Sequence, residues 1–106
     1  MNEAVIVAEG KVAGGKRVLL SVLDQSPVPE GFTPAQALAN SIDLAKHVER
    51  LGYHRYWMSE HHAMDLLACT APEVLLARIG AETSRIRIGS GGIMLPHYSA
   101  YKVAEV

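Results

Sequence analysis

Residues 17–52 read RVLLSVLDQSPVPEGFTPAQALANSIDLAKHVERLG, and the order of elements in that stretch decides the fold class. The run Val18-Leu19-Leu20-Ser21-Val22-Leu23 is β-prone and almost unbroken in apolarity, which suits a strand buried on both faces. Asp24-Gln25-Ser26-Pro27-Val28-Pro29 stops it, because the two prolines cannot continue a ladder and Gly31 lets the chain turn. Thr33-Pro34-Ala35-Gln36 then starts a helix. Thr33 caps it, Pro34 brings a helix-compatible φ to the first turn, and Gln36 reaches back as in a capping box. Leu38, Ile42, Ala45 and Val48, broadened by Ala37, Leu44 and Leu51, form one apolar stripe, with Asp43, Lys46, Glu49 and Arg50 off it. Gly52 stands where a left-handed residue ends a helix, and Lys46, His47 and Arg50 set cations near the negative end.

Working outward, the same unit recurs downstream. Tyr53 to Ser59 is rich in aromatics and reads as a second strand, with Tyr56 and Trp57 packing in the core or on the sheet face rather than offering a stacking platform. A long turn from Glu60 to Cys69 follows. Thr70-Ala71-Pro72-Glu73 reads as a second capping box, opening a helix through Val74, Leu75, Leu76 and Ile79 that ends near Thr83. Ile86 to Leu95 is a third strand interrupted by glycines, closed by Pro96, and Ser99 begins a third helix with Val103 and Val106 on one face. That helix stops without a C-cap or polar tail, so truncation is the expectation. Upstream, residues 1–16 lack periodicity and read as a flexible leader, leaving 17–106 as the folded portion.

The order is therefore βαβαβα, an α/β pattern that demands parallel strands joined by right-handed crossovers. An open doubly wound sheet and a (β/α)8 barrel of roughly 250 residues both accept this beginning. In either, ligands sit beyond the carboxyl ends of the strands, which directs attention to the loops 24–32, 60–70 and 89–99. A small nucleotide-binding module would need phosphate-cradling glycines after Leu23, where the chain has prolines.

Composition narrows the partners. The 106 residues carry 10 basic and 11 acidic side chains, a formal charge of −1. No basic cluster offers a footprint for nucleic acid, and no apolar run approaches the roughly 20 residues of a membrane span. A secretory signal is absent from the first residues, and the single Cys69 has neither a disulfide partner nor a CxxC mate for zinc, so a cytoplasmic location is expected.

Three groups of residues are candidates for chemistry. Glu60-His61-His62 directly follows the second strand, and imidazole titrates near neutrality, so a proton donor or acceptor is expected there. No metal is expected, since neighbouring residues on an extended segment point apart and HExxH spacing is absent. The competing reading has these side chains capping the helix or bonding loop carbonyls. Gly89-Ser90-Gly91-Gly92 places three glycines in a β-run, which marks either a bulge that bends the strand or a backbone approached closely by a flat ligand. Asp24, with Gln25, ends the first strand and either bonds a ligand at that rim or forms a turn.

LSVLDQSPV, TPAQAL, YHRYWMSEHH, APEVLLARIGAETSRIRIGSGGIMLPHY and SAYKVAEV together resemble the luciferase-like flavin-dependent monooxygenases, from about Arg17 to Val106. The most specific parts are WxxEHH and IRIGSGGIMLPH. The resemblance implies a partial TIM barrel comprising the first three βα units. It also implies reduced FMN as the cofactor, with a deazaflavin in some relatives, and a small organic substrate such as an aldehyde. His61 then corresponds to the family's active-site histidine, with Glu60 as its orienting neighbour. Gly91 and Gly92 correspond to the bulge under the flavin ring, often joined by a non-prolyl cis peptide. Ser90 and Asp24 would lie beside the cofactor. Three of eight strands imply a fragment inactive alone, prone to homo-oligomerise or to bind a complementary barrel fragment. The alternative is a non-catalytic flavin-binding or interaction protein derived from the same barrel.

Overall fold

The computed structural model describes residues 18–106. The expected leader over 1–16, and Arg17, lie outside them. The elements are β1 (Ser21–Asp24), α1 (Pro34–Arg50), β2 (Arg55–Ser59), α2 (Pro72–Glu82), β3 (Arg87–Gly92), a 3₁₀ turn (Leu95–His97) and the short α3 (Ala100–Glu105). The strands form one parallel sheet in the order β1-β2-β3, with Leu23 beside Trp57 and Trp57 beside Gly89. Each crossover carries a helix, as parallel pairing requires.

The period of two along the strands separates the sheet into unlike faces. Val22, Tyr56, Met58 and Ile88 point toward the helices, where Tyr56 and Met58 are completely buried with Ala45, Val48, Cys69, Leu75 and Ile79. Leu23, Trp57, Gly89 and Gly91 point the other way, and no helix among the described residues covers that face. Leu23 is 58% exposed, and Val18, Leu19 and Leu20 are also more than half exposed. The expectation of a first strand buried on both faces is thus corrected: both helices lie on one side. On the open face the guanidinium of Arg55 lies 4.8 Å from the centre of the Trp57 ring, within cation–π range.

Helix starts show how one position changes a cap. At α1 the box forms as read: Thr33 Oγ1 accepts from the Gln36 N–H and Gln36 Oε1 accepts from the Thr33 N–H. At α2 it does not, and the cap residue is Ala71, with φ −144° and ψ 80°. In both segments proline takes the first helical position and forces its predecessor out of the α region. In TPAQ that predecessor is Thr33. In TAPE it is Ala71, which leaves Thr70 one position too early to cap. At the other end of α1 the N–H of Gly52 bonds the Glu49 carbonyl and that of Tyr53 the Val48 carbonyl, a Schellman motif with Gly52 at φ +79°.

The buried stripe of α1 is Ala37, Ser41, Ala45 and Val48. It is rotated from the expected one: Leu38 and Ile42 are only half-buried, and Leu44 and Leu51 are exposed. On α2, Pro72, Leu75 and Ile79 are buried, whereas Val74 is exposed.

Glu49, assigned by periodicity to the polar face, ties the layers together. Its Oε1 accepts from the backbone N–H groups of Ser84, Arg85 and Ile86 at 2.8, 2.6 and 3.0 Å. Burial pushes this carboxyl up, but the three N–H donors and the Arg85 charge outweigh it and leave the group below its ordinary value. Glu49→Gln should lower stability by about 1–2 kcal/mol, a modest figure because the side chain is partly open to water. The depressed folded value means this contribution is present above the unfolded carboxyl range near about 4.3 and lost as pH falls through the folded one. Urea midpoints of the two proteins at about pH 7 should therefore differ more than their midpoints in acid.

Candidate functional site

The site lies where the strands end. The loops after β1 and β2 are joined there: the Val28 N–H bonds the Leu66 carbonyl at 2.8 Å, and the Ala68 N–H bonds the Ser26 carbonyl at 2.9 Å. The end of β2 is joined in turn to β3 by the Glu60 N–H, which donates to the Gly92 carbonyl at 3.1 Å. His61 and the glycine tract therefore share one end of the sheet.

The tract contains a bulge. Met58 is beside Ser90 but Ser59 is beside Gly92, so Gly91 has no partner on β2. A side chain at Gly91 would meet Leu23 Cδ1 at 2.9 Å, Trp57 Cβ at 3.4 Å and the Met58 carbonyl at 3.5 Å. At Gly92 it would meet nothing closer than Ser59 Cβ at 3.8 Å, so a bare backbone surface lies open there. Every described peptide bond is trans, Gly91–Gly92 included, which corrects the cis expectation.

Asp24 turns inward. It is buried, with Oδ1 accepting from the Ser26 N–H at 2.8 Å and Oδ2 accepting from the Tyr56 hydroxyl. The Tyr56 hydroxyl lies 2.9 Å from the Ser41 carbonyl, and the Ser26 and Ser41 hydroxyls are 2.8 Å apart. Burial, then the Asp24 hydrogen bond and charge, hold the Tyr56 phenol well above its ordinary value. Ser26 takes φ +50°, strained for a residue with a side chain, inside this network. Both Asp24 oxygens are thus taken by the protein, so the carboxylate serves the interior and not the rim. Ser90 is similarly occupied: its hydroxyl lies 3.0 Å from the Gly92 carbonyl and 3.4 Å from that of Met58.

Glu60 is the hub of the rim. Its side chain is 0% exposed, Oε2 accepts from the Met94 N–H at 2.9 Å, and Oε1 accepts from the Tyr98 hydroxyl at 2.9 Å and is 2.5 Å from His62 Nε2. Burial pushes the Glu60 carboxyl up, but His62, the Met94 N–H and the Tyr98 hydroxyl outweigh it and leave the group below its ordinary value. The Tyr98 phenol is raised, first by that hydrogen bond to Glu60. The histidine oriented by Glu60 is therefore His62 and not His61, a correction that follows from alternation along the extended segment: residues 60 and 62 share a side, and residue 61 points away. His61 is fixed by its N–H, which donates to the Cys69 carbonyl at 3.0 Å, and its Nδ1 is buried without a hydrogen-bond partner among the described residues. Ser59 Oγ is the other such atom. Sequence reading passed over Ser59, Tyr98 and Met94. Only the alternation with Trp57 pointed to Ser59, and nothing local pointed to the other two.

The profile of the luciferase-like monooxygenases matches residues 18–106. The chain belongs to that family. Among luciferase-like relatives, N-acetyl-S-alkylcysteine monooxygenase of Bacillus subtilis (strain 168) is 53% identical over 88 residues, covering 83% of this chain and 26% of the relative. The crystal structure of apo-MsnO8 superposes with a TM-score of 0.81 at 59% identity, over 83% of this chain and 27% of that one. The oxygenating constituent of 3,6-diketocamphane monooxygenase from Pseudomonas putida, a type II Baeyer-Villiger monooxygenase solved in complex with FMN, gives a TM-score of 0.74 at 22% identity. It covers 81% of this chain and 24% of its own. The chain thus spans about a quarter of the length of the curated relatives it matches. Its three strands and their helices are the corresponding part of a luciferase-like TIM barrel. Among the described residues no helix is long and apolar enough to cross a membrane, and no three His, Cys, Asp or Glu side chains gather to hold a metal.

Proposed function

We propose that the chain supplies the first three βα units of a flavin-dependent monooxygenase that uses reduced FMN and molecular oxygen on a small organic substrate such as an aldehyde. One observation carries this reading. At a single end of the sheet, the bulged backbone at Gly91–Gly92 pairs with Ser59, and Ser59 Oγ and His61 Nδ1, on either side of Glu60, are buried polar atoms without partners among the described residues. Buried polar atoms without partners are rare in folded proteins and call for a ligand or water to complete them. The residues fit a planar heteroaromatic ring: open backbone at Gly92, a hydroxyl and an imidazole beside it, and no bulky side chain on the tract.

When bound, the reduced flavin supplies the electrons that activate oxygen. Gly91 and Gly92 would lie under the ring, and Ser59 and His61 would bond its polar edge. Ser90 supports this seat from within the strand by holding the Gly92 carbonyl. Asp24 acts further back, by fixing the turn after β1 through Ser26. His61 would act at the reactive side of the ring, where its imidazole can stabilise developing charge or donate a proton.

Three strands cannot enclose a dry pocket, so the 106 residues by themselves are proposed to be inactive. The uncovered Leu23–Trp57 face would be closed by a complementary barrel fragment or by a second copy. A chimera tests the activity: residues 18–106 replace the matching quarter of the B. subtilis N-acetyl-S-alkylcysteine monooxygenase. FMN-dependent turnover should be retained, and His61→Ala should reduce kcat by about a hundredfold or more while FMN binding is largely kept. A folded chimera that binds FMN without turnover would favour the non-catalytic reading. Equal turnover with and without His61 would remove the role given to it.

A further inference from the structure

The open face of the sheet is not uniformly apolar. Arg55 stands beside Arg87 across β2 and β3, and the period of two puts both on the side of Trp57 and Gly89, away from the helices. Like charges set side by side on a sheet repel. Neither guanidinium makes an ion pair among the described residues, whose cationic partners to carboxylates are Lys46, His62 and Arg78. Arg55 is also drawn inward along its strand. Its guanidinium carbon lies 4.8 Å from the centre of the Trp57 ring, and that ring in turn lies across Gly89, where an added Cβ would meet Trp57 Cζ3 at 3.2 Å. The Arg55 cation therefore sits over the middle of the face.

We propose that this face seats the remaining strands of a luciferase-like barrel, a β-surface that is apolar against Leu23 and Trp57 and carries a carboxylate against Arg55 and Arg87. The inference deepens the reading above and rests on it for the kind of partner. Two observations choose this occupant. The chain covers 26% of N-acetyl-S-alkylcysteine monooxygenase and 27% of MsnO8, so in both the sequence beyond the match is long enough to form the other strands. The second is charge. A covered guanidinium loses its water, and a buried charge without a partner is costly, whereas a carboxylate can accept two bonds from its fork while its flat face stays on Trp57. A second copy of the chain, laid face to face, brings two more arginines. It brings no carboxylate from that face, because Asp24 and Glu60 at the rim are committed to bonds within the chain.

The pairing predicts opposite effects of one substitution in two settings. In the 106-residue chain Arg87→Met removes a repulsion, and the urea midpoint should stay equal or rise. In the chimera described above the same change strands a buried carboxylate and should lower Tm by about 5 °C or more, with Arg87→Lys recovering part of the loss. A crystal structure of the chimera should place a carboxylate from the supplied strands within about 4 Å of the Arg55 or Arg87 guanidinium. Two guanidinium groups without an acidic neighbour there, or a midpoint and a Tm that fall alike, overturn the inference. So does a dimer of the chain alone, seen by sedimentation and dissociated by Leu23→Asp, which would give the face to a second copy. A folded chimera that seats the carboxylate but shows no FMN-dependent turnover supports this inference and removes the monooxygenase activity.

Discussion

Tyr56→Phe should cost about 3 kcal/mol, a large part of the stability of a unit this small, although it removes a single oxygen atom. The ring fills the same space, so packing against Met58, Ala45 and Val48 is unchanged and the whole cost is polar. Tyr56 is 0% exposed and its hydroxyl is the donor to Asp24 Oδ2, leaving that oxygen in Tyr56→Phe without its partner and without access to water. The sign of the pH effect follows from the raised phenol. Below about pH 10 the group is protonated in both states and its contribution is whole. Above that the unfolded tyrosine releases its proton while the folded one keeps it, and the contribution declines by about 1.4 kcal/mol per pH unit until the folded value is reached. Urea unfolding should show the wild-type chain losing stability steeply in alkali and Tyr56→Phe losing less. Parallel alkaline profiles for the two chains would contradict the assignment.

Glu60→Ala should have the next largest effect, about 2–3 kcal/mol, and a local one. The three donors that Glu60 accepts are on the β3 exit, the segment before α3 and the rim histidine, so its loss detaches residues 93–106 from the end of β2. The cost stays below that of stranding a fully buried charge, because Met94, Tyr98 and His62 can each turn to water. Amide exchange should quicken across Ile93–Glu105 while the core strands keep their protection. Since Glu60 is depressed in the folded chain, its contribution is present above about pH 4.3 and lost as pH falls through the folded value. The wild-type segment should therefore open in acid, and the Glu60→Ala segment should be open at every pH.

The same residues measure how far sequence reading reaches. The βαβαβα order, the TPAQ box, the Gly52 terminus and the bulge in the glycine tract are local, each written in a few adjacent residues whose backbone preferences agree. The second box failed on a one-residue difference in where proline sits. Glu49 and Glu60 were assigned wrongly in part, one to solvent and the other to His61, because the backbone N–H groups and the phenol that hold them lie more than thirty positions along the chain. Asp24 looked available to a ligand until Tyr56 was found on its other oxygen.

Sequence alone determined the parallel α/β architecture and the family, because hydrophobic period, proline and glycine act on their own neighbours. Tertiary structure alone decided which distant groups hold Glu60, which face of the sheet is open, and which polar atoms are buried without partners. Those outcomes depend on side chains brought together across strands, and hydrogen bonding at that range is set by register and burial, which no short stretch of residues encodes.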